Sequence, residues 1–318
     1  VDIFLEVSDD EFKQLNFERG TMRLVDINEQ KLLLTRYQKN EPKLVSGGSV
    51  ANSVIAFSQL GGEAAFIGCV GDDRYGLFYA SEFEKLGIDI GNPIIINETT
   101  GTCVCIITPD AERTMRTCLA VSSHLAAKHV DEERIKNSDW LFIEGYVFAN
   151  PETGQTAIKK AIELAKKHGT KIAITCSDAF VPNVFGDALN DALKQADLFF
   201  CNETEACAVT KAAGAEDAFK KLNHDIPSVV VTNGPHGVYV RHAGVEAHVP
   251  AFPSEPKDLT GAGDMLAGAF LYGITHGVDP IKAARAACYL AHKVIIQVGA
   301  RLHHGTKHYW EECLAQLS

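Results

Sequence analysis

The chain has 318 residues, of which 46% are apolar and 22% are charged. That length and apolar content suffice to bury a large core, and no segment has the composition of a disordered chain. The net charge is 30 − 41 = −11, and no stretch concentrates Lys or Arg, which excludes the usual footprint of a nucleic-acid partner. No apolar run approaches the roughly 20 residues of a membrane-spanning helix, so we expect no membrane partner either.

The chain begins with Val1 in an apolar run that is typical of the end of a strand, so we expect further residues upstream. Residues of about 20–45 and 97–118 alternate apolar and polar side chains, a period that suits antiparallel strands with one wet face. We therefore expect the segments 20–45 and 97–118 to pair into a small β lid. The large domain then consists of residues 1–19, 46–96 and 119–318.

From about residue 46, short apolar runs alternate with longer segments of helical period. A helix over 156–167 is expected to end at Gly169. Alternating strands and helices predict an α/β fold with a mostly parallel sheet covered on both sides, which binds ligands at the carboxyl ends of its strands. The runs that predict buried strands are Phe66–Val70, Leu141–Ile143, Ile172–Ile174, Leu198–Phe200 and Val229–Val231.

Nine cysteines are scattered along the chain, and none forms a CxxC pair. An odd, scattered set is typical of reduced thiols rather than of a disulfide framework, and it predicts a cytoplasmic protein. Cys103 and Cys105 lie two residues apart in an alternating, strand-like run.

The sharpest motif runs from Asp258 to Asp264 and is followed by an apolar helical run. Its segment 261–263, Gly-Ala-Gly, leaves backbone N–H groups uncovered at a helix start, where the helix dipole favours an anion. The carboxylate of Asp264 could accept a proton from an alcohol that attacks a phosphoryl group stabilised by those amides. The alternative is a plain helix cap with closely packed glycines, which the Gly-x-Gly-Asp tetrapeptide alone would favour.

Another glycine-containing motif precedes a predicted helix near residue 50. Gly47 and Gly48 let a ligand approach the backbone, and Asn52, one turn into the helix, could reach a sugar hydroxyl. An ordinary flexible turn explains this motif equally well.

Two further motifs follow predicted strands. Asn202 and Glu205 share a helix face at i, i+3 and suit a hydrated Mg²⁺ ion, although a solvated helix start is the alternative. Thr232, Gly234 and Gly237 could hold nucleotide phosphates, although a hairpin turn has the same composition.

Together the four motifs resemble the ribokinase-like (PfkB) family of ATP-dependent kinases. Glu144-Gly145-Tyr146 after a strand, with Ser46–Ser49 and Asn202–Ala206, most resembles the adenosine kinase branch. The resemblance implies a three-layer αβα sandwich with a small inserted β lid. It also implies transfer of the ATP γ-phosphate to a primary alcohol, with adenosine or a related nucleoside at its 5′-hydroxyl as the expected acceptor. The alternative acceptor is a free sugar, as in ribokinase-like or fructokinase-like enzymes.

The resemblance also assigns roles to residues and names the partners. ATP, Mg²⁺ and a K⁺ ion are the expected cofactors, the protein is a monomer or homodimer, and a nucleoside or sugar is the partner molecule. The site residues that it implies are catalytic Asp264 with Gly261, Ala262 and Gly263; substrate-binding Asp2, Gly47, Gly48, Asn52 and Arg113; ATP-binding Thr232, Gly234, Gly237 and Asn202; Glu205 and Asn202 for Mg²⁺ through water; and Asp258 and Thr260 for the monovalent cation.

Several assignments have alternatives. Arg116 competes with Arg113 for the lid arginine, because the alignment needs a shift of one residue. The lid lacks an obvious aromatic pair for a purine, although Phe180 and Tyr146 could line the pocket. A binding protein without turnover would share the fold, but an intact Asp264 argues for catalysis.

Overall fold

The computed structural model describes residues 1–37, 42–91, 94–110 and 112–317. The predicted lid segments include residues 38–41 and 111, which lie outside the described residues. The strands are β1 (Asp2–Glu6), β2 (Met22–Leu24), β3 (Lys43–Val45), β4 (Ala65–Phe66), β5 (Asp89–Ile90), β6 (Thr102–Ile107), β7 (Arg113–Cys118), β8 (Trp140–Glu144), β9 (Lys171–Thr175), β10 (Leu198–Asn202), β11 (Ser228–Thr232), β12 (Val238–His242) and β13 (Val245–Val249).

The α-helices are α1 (Asp9–Lys13), α2 (Ile27–Arg36), α3 (Ser49–Gln59), α4 (Arg74–Lys85), α5 (Glu132–Lys136), α6 (Gly154–His168), α7 (Phe180–Leu193), α8 (Glu203–Thr210), α9 (Ala215–Asp225), α10 (Ala262–Thr275), α11 (Pro280–Ile295) and α12 (Thr306–Gln316). Short 3₁₀ helices cover Ala120–His124, Ala127–His129, Gly145–Ala149 and Gly234–His236.

The chain forms two compact units. The first unit comprises Val1–Gly48, Ile67–Lys85 and Ile90–Leu125, and the second comprises Ser49–Phe66, Leu86–Asp89 and Ala126–Ser318. The predicted domain bounds differ from this grouping, since residues 1–19 fall in one unit with 20–45 and 97–118. The division into a large domain and a lid stays a prediction.

The second unit contains a six-stranded sheet in the order β13-β12-β11-β10-β9-β8. Strands β8 to β11 are parallel, and β12 and β13 continue the sheet as antiparallel neighbours. Side chains alternate between the two faces, so Ile172 and Ile174 pack into one buried cluster and Ala173 into the other. Helices α6 to α9 cover the first face, and α3, α10, α11 and α12 cover the second. This confirms the three-layer αβα sandwich.

The predicted helix over 156–167 is confirmed as α6. It ends at Gly169, whose φ of 77° lies in the left-handed region that glycine adopts without a Cβ clash.

The first unit contains a five-stranded sheet in the order β2-β7-β6-β1-β3. Strands β6 and β7 form the antiparallel hairpin that the alternation within 97–118 predicts. Strand β1 lies beside β6 in parallel and beside β3 in antiparallel orientation.

The prediction of antiparallel strands over 20–45 is wrong for most of that segment. Helix α2 occupies its middle, because the Asp26 carboxylate caps the N–H groups of Asn28 and Glu29 and Leu33 is buried. The three-residue strand β2 pairs with β7, but in parallel.

The prediction of a buried strand over Phe66–Val70 is also wrong beyond Phe66. After β4 the chain is irregular, and the Val70 carbonyl accepts a hydrogen bond from the Ile95 amide at 2.9 Å. A Cβ at Gly71 would lie 2.0 Å from the Glu98 carbonyl oxygen, so this close backbone approach replaces a continuing strand.

Among the described residues, no helix is long and apolar enough to cross a membrane. All nine cysteines are described, and none of them is in a disulfide. The cytoplasmic location and the monomeric or homodimeric state stay predictions.

Helix α10 is anchored to the sheet of the second unit by Phe270, which is fully buried and meets the Phe200 ring edge-on at 6.0 Å. We expect Phe270→Ala to lower the free energy of unfolding by about 3–5 kcal/mol, since it removes apolar contacts and leaves a cavity. Urea denaturation followed by circular dichroism measures the change. The control is Val184→Ala on α7, whose side chain is 65% exposed, and which should change the free energy by less than about 0.5 kcal/mol. Equal effects of the two substitutions would contradict this account of the core.

Candidate active site

The first turn of α10 carries the Gly-Ala-Gly-Asp motif in the second unit. Gly261 precedes the helix with a φ of 77°, and a Cβ there would lie 2.1 Å from the Ala300 carbonyl oxygen, so this position requires glycine. Gly263 is exposed, and a Cβ there would meet no atom within 4 Å. The helix N-terminus is therefore open to a ligand beside Gly263.

The Asp264 carboxylate is held by two side chains of α3. Its Oδ1 accepts a hydrogen bond from the Ser49 hydroxyl at 2.6 Å, and its Oδ2 accepts one from the Asn52 amide at 2.9 Å. Asn52 is 6% exposed, and its Oδ1 has no hydrogen-bond partner among the described residues. The sequence predicted Asn52 as a sugar ligand and did not identify Ser49; the structure brings both to the predicted catalytic carboxylate.

Glu144, the last residue of β8, lies near this carboxylate. Its Oε2 accepts a hydrogen bond from the Val50 backbone N–H, with a distance of 3.4 Å between nitrogen and oxygen. Burial raises the pKa of Glu144 to about 7, and the negative charge of Asp264 adds to the increase. From the sequence, Glu144 contributes only to the family resemblance. Its position as a carboxylate at the end of a parallel strand is the signal that could have identified it.

Asn202 and Glu205 form a reciprocal cap at the start of α8. The Glu205 carboxylate accepts the Asn202 backbone N–H at 2.9 Å and its side-chain amide at 2.9 Å, and the Asn202 Oδ1 accepts the Glu205 N–H. The pKa of Glu205 is raised to about 7, mainly by burial and further by the negative charges of Asp178 and Asp264. The hydrogen bond from the Asn202 N–H acts in the opposite direction. Carboxylate and amide oxygens close to the further negative charges of Asp178 and Asp264 fit a Mg²⁺ ion and its water ligands.

Two aromatic residues, Tyr146 and Phe180, lie just after the ends of β8 and β9. The Tyr146 and Phe180 rings stack with centroids 6.0 Å apart and planes 27° apart. The Asp178 carboxylate accepts the Phe180 N–H at 2.8 Å and the Tyr146 hydroxyl at 3.4 Å, so one carboxylate orients both residues. Tyr146 and Phe180 were both predicted from the sequence as pocket residues. Asp178 was not predicted, although Asp178 comes just after β9.

The predicted nucleotide motif forms a tight turn after β11, which ends at Thr232. Gly234 and Gly237 both have positive φ, and a Cβ at Gly237 would lie 2.1 Å from the Val249 carbonyl oxygen. The Asn233 backbone N–H donates a hydrogen bond to the Gly237 carbonyl oxygen at 2.8 Å, and this bond closes the turn. An open cleft of about 490 Å³ is lined by Asn233 and by the first turn of α9.

Asp258 and Thr260 organise the loop before α10. The Asp258 Oδ1 accepts the Thr260 hydroxyl at 2.7 Å, and its Oδ2 accepts the Gly299 amide at 2.6 Å. These contacts tie the loop to the segment near Gly299. Their role for a monovalent cation stays a prediction.

The first unit contains the other predicted substrate residues. A Cβ at Gly47 would lie 2.4 Å from the Asp2 carboxylate, so the absence of a side chain lets Asp2 lie against this backbone. Gly48 is exposed, with a φ of 114°. On β7, the half-exposed Arg113 lies over the Phe4 ring at 5.6 Å, within the same unit.

Arg116, the rival of Arg113, is only 3% exposed. Its guanidinium lies 4.1 Å from the Phe17 ring centroid and donates to the Thr21 carbonyl at 3.1 Å. Arg113 is therefore the more accessible of the two arginines.

Comparison with known proteins gives four findings of similarity. The family model described as pfkB family carbohydrate kinase matches residues 21–305. A ribokinase of Haemophilus influenzae is 30% identical over 72% of this chain and 74% of its own length. The structure of adenosine kinase from Sinorhizobium meliloti covers 100% of this chain and 96% of its own, with a TM-score of 0.85 and 26% identity. An E. coli protein assigned as ribokinase II, solved with ATP and Mg²⁺, covers 87% of this chain and 92% of its own, with a TM-score of 0.76 and 25% identity.

The fold and these matches define a phosphotransferase with a ribokinase-like α/β fold. The chain belongs to the pfkB family of kinases, whose members among its relatives include both sugar and nucleoside kinases.

The carboxylate of Glu144 gives a pH-dependent stability. Its folded pKa of about 7 exceeds its ordinary value of 4.5, so its stabilising contribution is full below pH 4.5 and is lost as pH rises through 7. Glu144→Gln mimics the protonated form. We expect its free energy of unfolding to exceed that of the parent by about 3 kcal/mol at pH 8 and by less than about 1 kcal/mol at pH 5.

Urea denaturation at the two pH values, without Mg²⁺ or nucleotide, measures this difference. Glu63→Gln, at an exposed position in the same unit, is the matched control and should leave both values unchanged. A pH-independent effect of Glu144→Gln would show that Glu144 does not titrate in the folded protein as described.

Proposed function

We propose that this protein transfers the γ-phosphate of ATP to the 5′-hydroxyl of adenosine or a related nucleoside, with Asp264 as the proton acceptor. The observation that carries the proposal is the position of Asp264 in the first turn of α10. Two donors fix its carboxylate, and the helix N-terminus beside it is open at Gly263. A fixed base and backbone donors for an anion are the two requirements of this chemistry.

The reaction needs only a weak base at Asp264. As the substrate oxygen bonds to the γ-phosphorus, the bond from that phosphorus to the bridging oxygen breaks, and ADP leaves with the electron pair. The transition state is loose, so the hydroxyl proton moves late to the Asp264 carboxylate. The amides of Gly261, Ala262 and Gly263 would stabilise the charge on the transferring group.

The nucleotide and its metal have separate proposed ligands. Thr232, Gly234 and Gly237 would contact the ATP phosphates, and Asn202 and Glu205 would hold the water ligands of Mg²⁺. The ion would neutralise phosphate charge when bound with the nucleotide. The raised pKa of the Glu205 carboxylate supports this assignment, because a nearby cation would favour its charged form.

The substrate assignments rest on the motifs and on local geometry. Asp2, Gly47 and Gly48 would bind sugar hydroxyls, and Arg113 would contact the transferred phosphate. The unpartnered amide oxygen of Asn52 is suited to accept a hydroxyl. Asp258 and Thr260 would lie near a K⁺ ion.

A nucleoside is favoured over a free sugar by the stacked pair Tyr146 and Phe180. Aromatic faces stack on a flat base, and a free sugar has no base to stack. The alternative, a sugar kinase of ribokinase or fructokinase type, is supported by the 30% identity to a ribokinase.

An ADP-release assay with Mg²⁺, K⁺ and ATP tests the acceptor. We expect turnover with adenosine and little with ribose or fructose at equal concentration. Turnover with a free sugar and none with nucleosides would favour the alternative. Tight nucleoside binding without ADP would contradict phosphotransfer.

Tyr146→Ala sharpens this test. Loss of one stacking face should raise the KM for adenosine about tenfold or more, while kcat/KM for any slow sugar acceptor stays nearly constant. Tyr309→Ala, a partly buried tyrosine on α12 in the same unit, is the control for a general effect of losing an aromatic ring. If Tyr146→Ala lowered kcat/KM equally with adenosine and with the sugar acceptor, Tyr146 would not be a residue that recognises the base.

Asp264→Asn tests the catalytic assignment. Because the amide cannot accept the hydroxyl proton, we expect kcat to fall at least about 10²-fold while ATP still binds by titration calorimetry. Asp191→Asn, which alters an exposed carboxylate on α7, is the matched control and should leave kcat unchanged. Turnover of Asp264→Asn close to that of the parent would exclude Asp264 as the base.

A further inference from the structure

Two cysteines on β6 form a close dithiol in the first unit. Cys103 and Cys105 are two positions apart on an extended strand, so their side chains point to the same face of the sheet. Their sulfur atoms lie 3.7 Å apart. Cys103 is half-exposed, whereas Cys105 is only 5% exposed. Cys103 is thus the more exposed residue of the pair, and the sulfur of Cys105 lies next to its sulfur.

The neighbouring strand carries the proposed substrate residue Asp2. In the parallel pairing of β1 with β6, Asp2 lies opposite Cys103, and Phe4 lies opposite Cys105. A change in the backbone at Cys103 therefore reaches Asp2 through adjacent strands of one sheet.

The two thiols differ in acidity. The hydrogen bond from Cys105 lowers the pKa of the Cys103 thiol, although burial and the charge of Asp2 oppose this effect. The pKa of Cys105 is raised well above its ordinary range by that same interaction and by burial. Cys207, the other half-exposed cysteine, has its pKa raised by burial. Because the thiolate is the nucleophile, Cys103 is the better placed to react first.

We propose that Cys103 and Cys105 are a peroxide-sensitive dithiol that closes to a disulfide and weakens binding of the alcohol substrate at Asp2. The Cys103 thiolate attacks one peroxide oxygen and becomes a sulfenic acid, and the second oxygen leaves as hydroxide, which is protonated to water. The Cys105 sulfur then attacks the Cys103 sulfur and displaces hydroxide, which combines with the Cys105 proton as water. The two thiols lose two electrons in total, and the peroxide gains them.

Closure of this disulfide has a structural consequence. Residues two apart on a strand have Cα atoms roughly 6.6 Å apart, near the upper limit for a disulfide, whose Cβ atoms approach to about 3.8 Å. Strand β6 must therefore bend locally at Cys103, opposite Asp2. A strained disulfide is also easily reduced, which makes the change reversible by thiols.

Peptide mass spectrometry tests the thiol chemistry without any assay of activity. The protein is treated with hydrogen peroxide, alkylated and digested with trypsin, which releases both cysteines in one peptide, Leu86–Arg113, with no other cysteine. After peroxide treatment we expect the mass of that peptide to be lower by two hydrogens, with neither cysteine alkylated. Reduction with dithiothreitol before alkylation should restore both alkylated cysteines. Cys103→Ser should leave Cys105 alkylated after peroxide, and Cys105→Ser should yield a Cys103 sulfenic acid that a dimedone probe captures. Full alkylation of both cysteines in peroxide-treated parent protein would overturn the proposal.

The effect on binding rests on the proposed function and is measured separately. Peroxide should raise the KM for the accepted substrate about tenfold, as expected for loss of a hydrogen bond to a charged group, while the Kd for ATP stays constant. Cys207→Ser should respond as the parent does, whereas Cys103→Ser should not respond to peroxide. Disulfide formation with an unchanged KM would overturn the link to Asp2. Absence of turnover before oxidation, with the disulfide still formed, would instead contradict the proposed function.

Discussion

The second unit gathers carboxylates at one end of its parallel strands, and this crowding of negative charge governs the chemistry of the site. Glu144 ends β8, Glu205 follows β10, and Asp264 lies in the first turn of α10. The charge of Asp264 raises the pKa of both glutamates. Buried like charges are costly, so the folded protein keeps this arrangement at the expense of stability near neutral pH. A bound cation, whose charge offsets that of the carboxylates, would relieve the cost.

The contacts of Asp264 show how the fold fixes the orientation of a carboxylate at a helix start, the group that we propose as the base. Ser49 and Asn52 lie one turn apart on α3 and donate to different oxygens of the carboxylate. The amide of Asn52 must present its nitrogen to Asp264, because two facing oxygens would repel, and its oxygen is then directed elsewhere. That buried oxygen has no partner among the described residues. One side chain thus holds the base and offers an acceptor beside it, so a hydroxyl bound at Asn52 would lie close to the carboxylate.

The sequence predicted the parts of the fold that depend on local pattern. Continuous apolar runs such as Val229–Val231 became central strands, because only a sheet covered on both faces buries every side chain. The alternation of apolar and polar residues over 20–45 wrongly predicted strands there. The cap at Asp26 and a helical spacing of buried residues favour helix α2 instead. Asp178 was missed because it belongs to no motif; only the fold brings it to Tyr146 and Phe180.

The family match explains why the reaction is better determined than its acceptor. Gly261 and Gly237, the glycines that we propose face phosphate, both have positive φ, and a Cβ at either would clash with a backbone carbonyl oxygen. Such a backbone requirement leaves a glycine in the sequence and can therefore be recognised in a motif. Tyr146, which we propose contacts the base, has no such backbone requirement. Identities of 26–30% therefore define the chemistry, whereas the acceptor must be argued from the surfaces that these side chains present. In this chain the proposal of a nucleoside acceptor depends on the stacked pair of Tyr146 and Phe180.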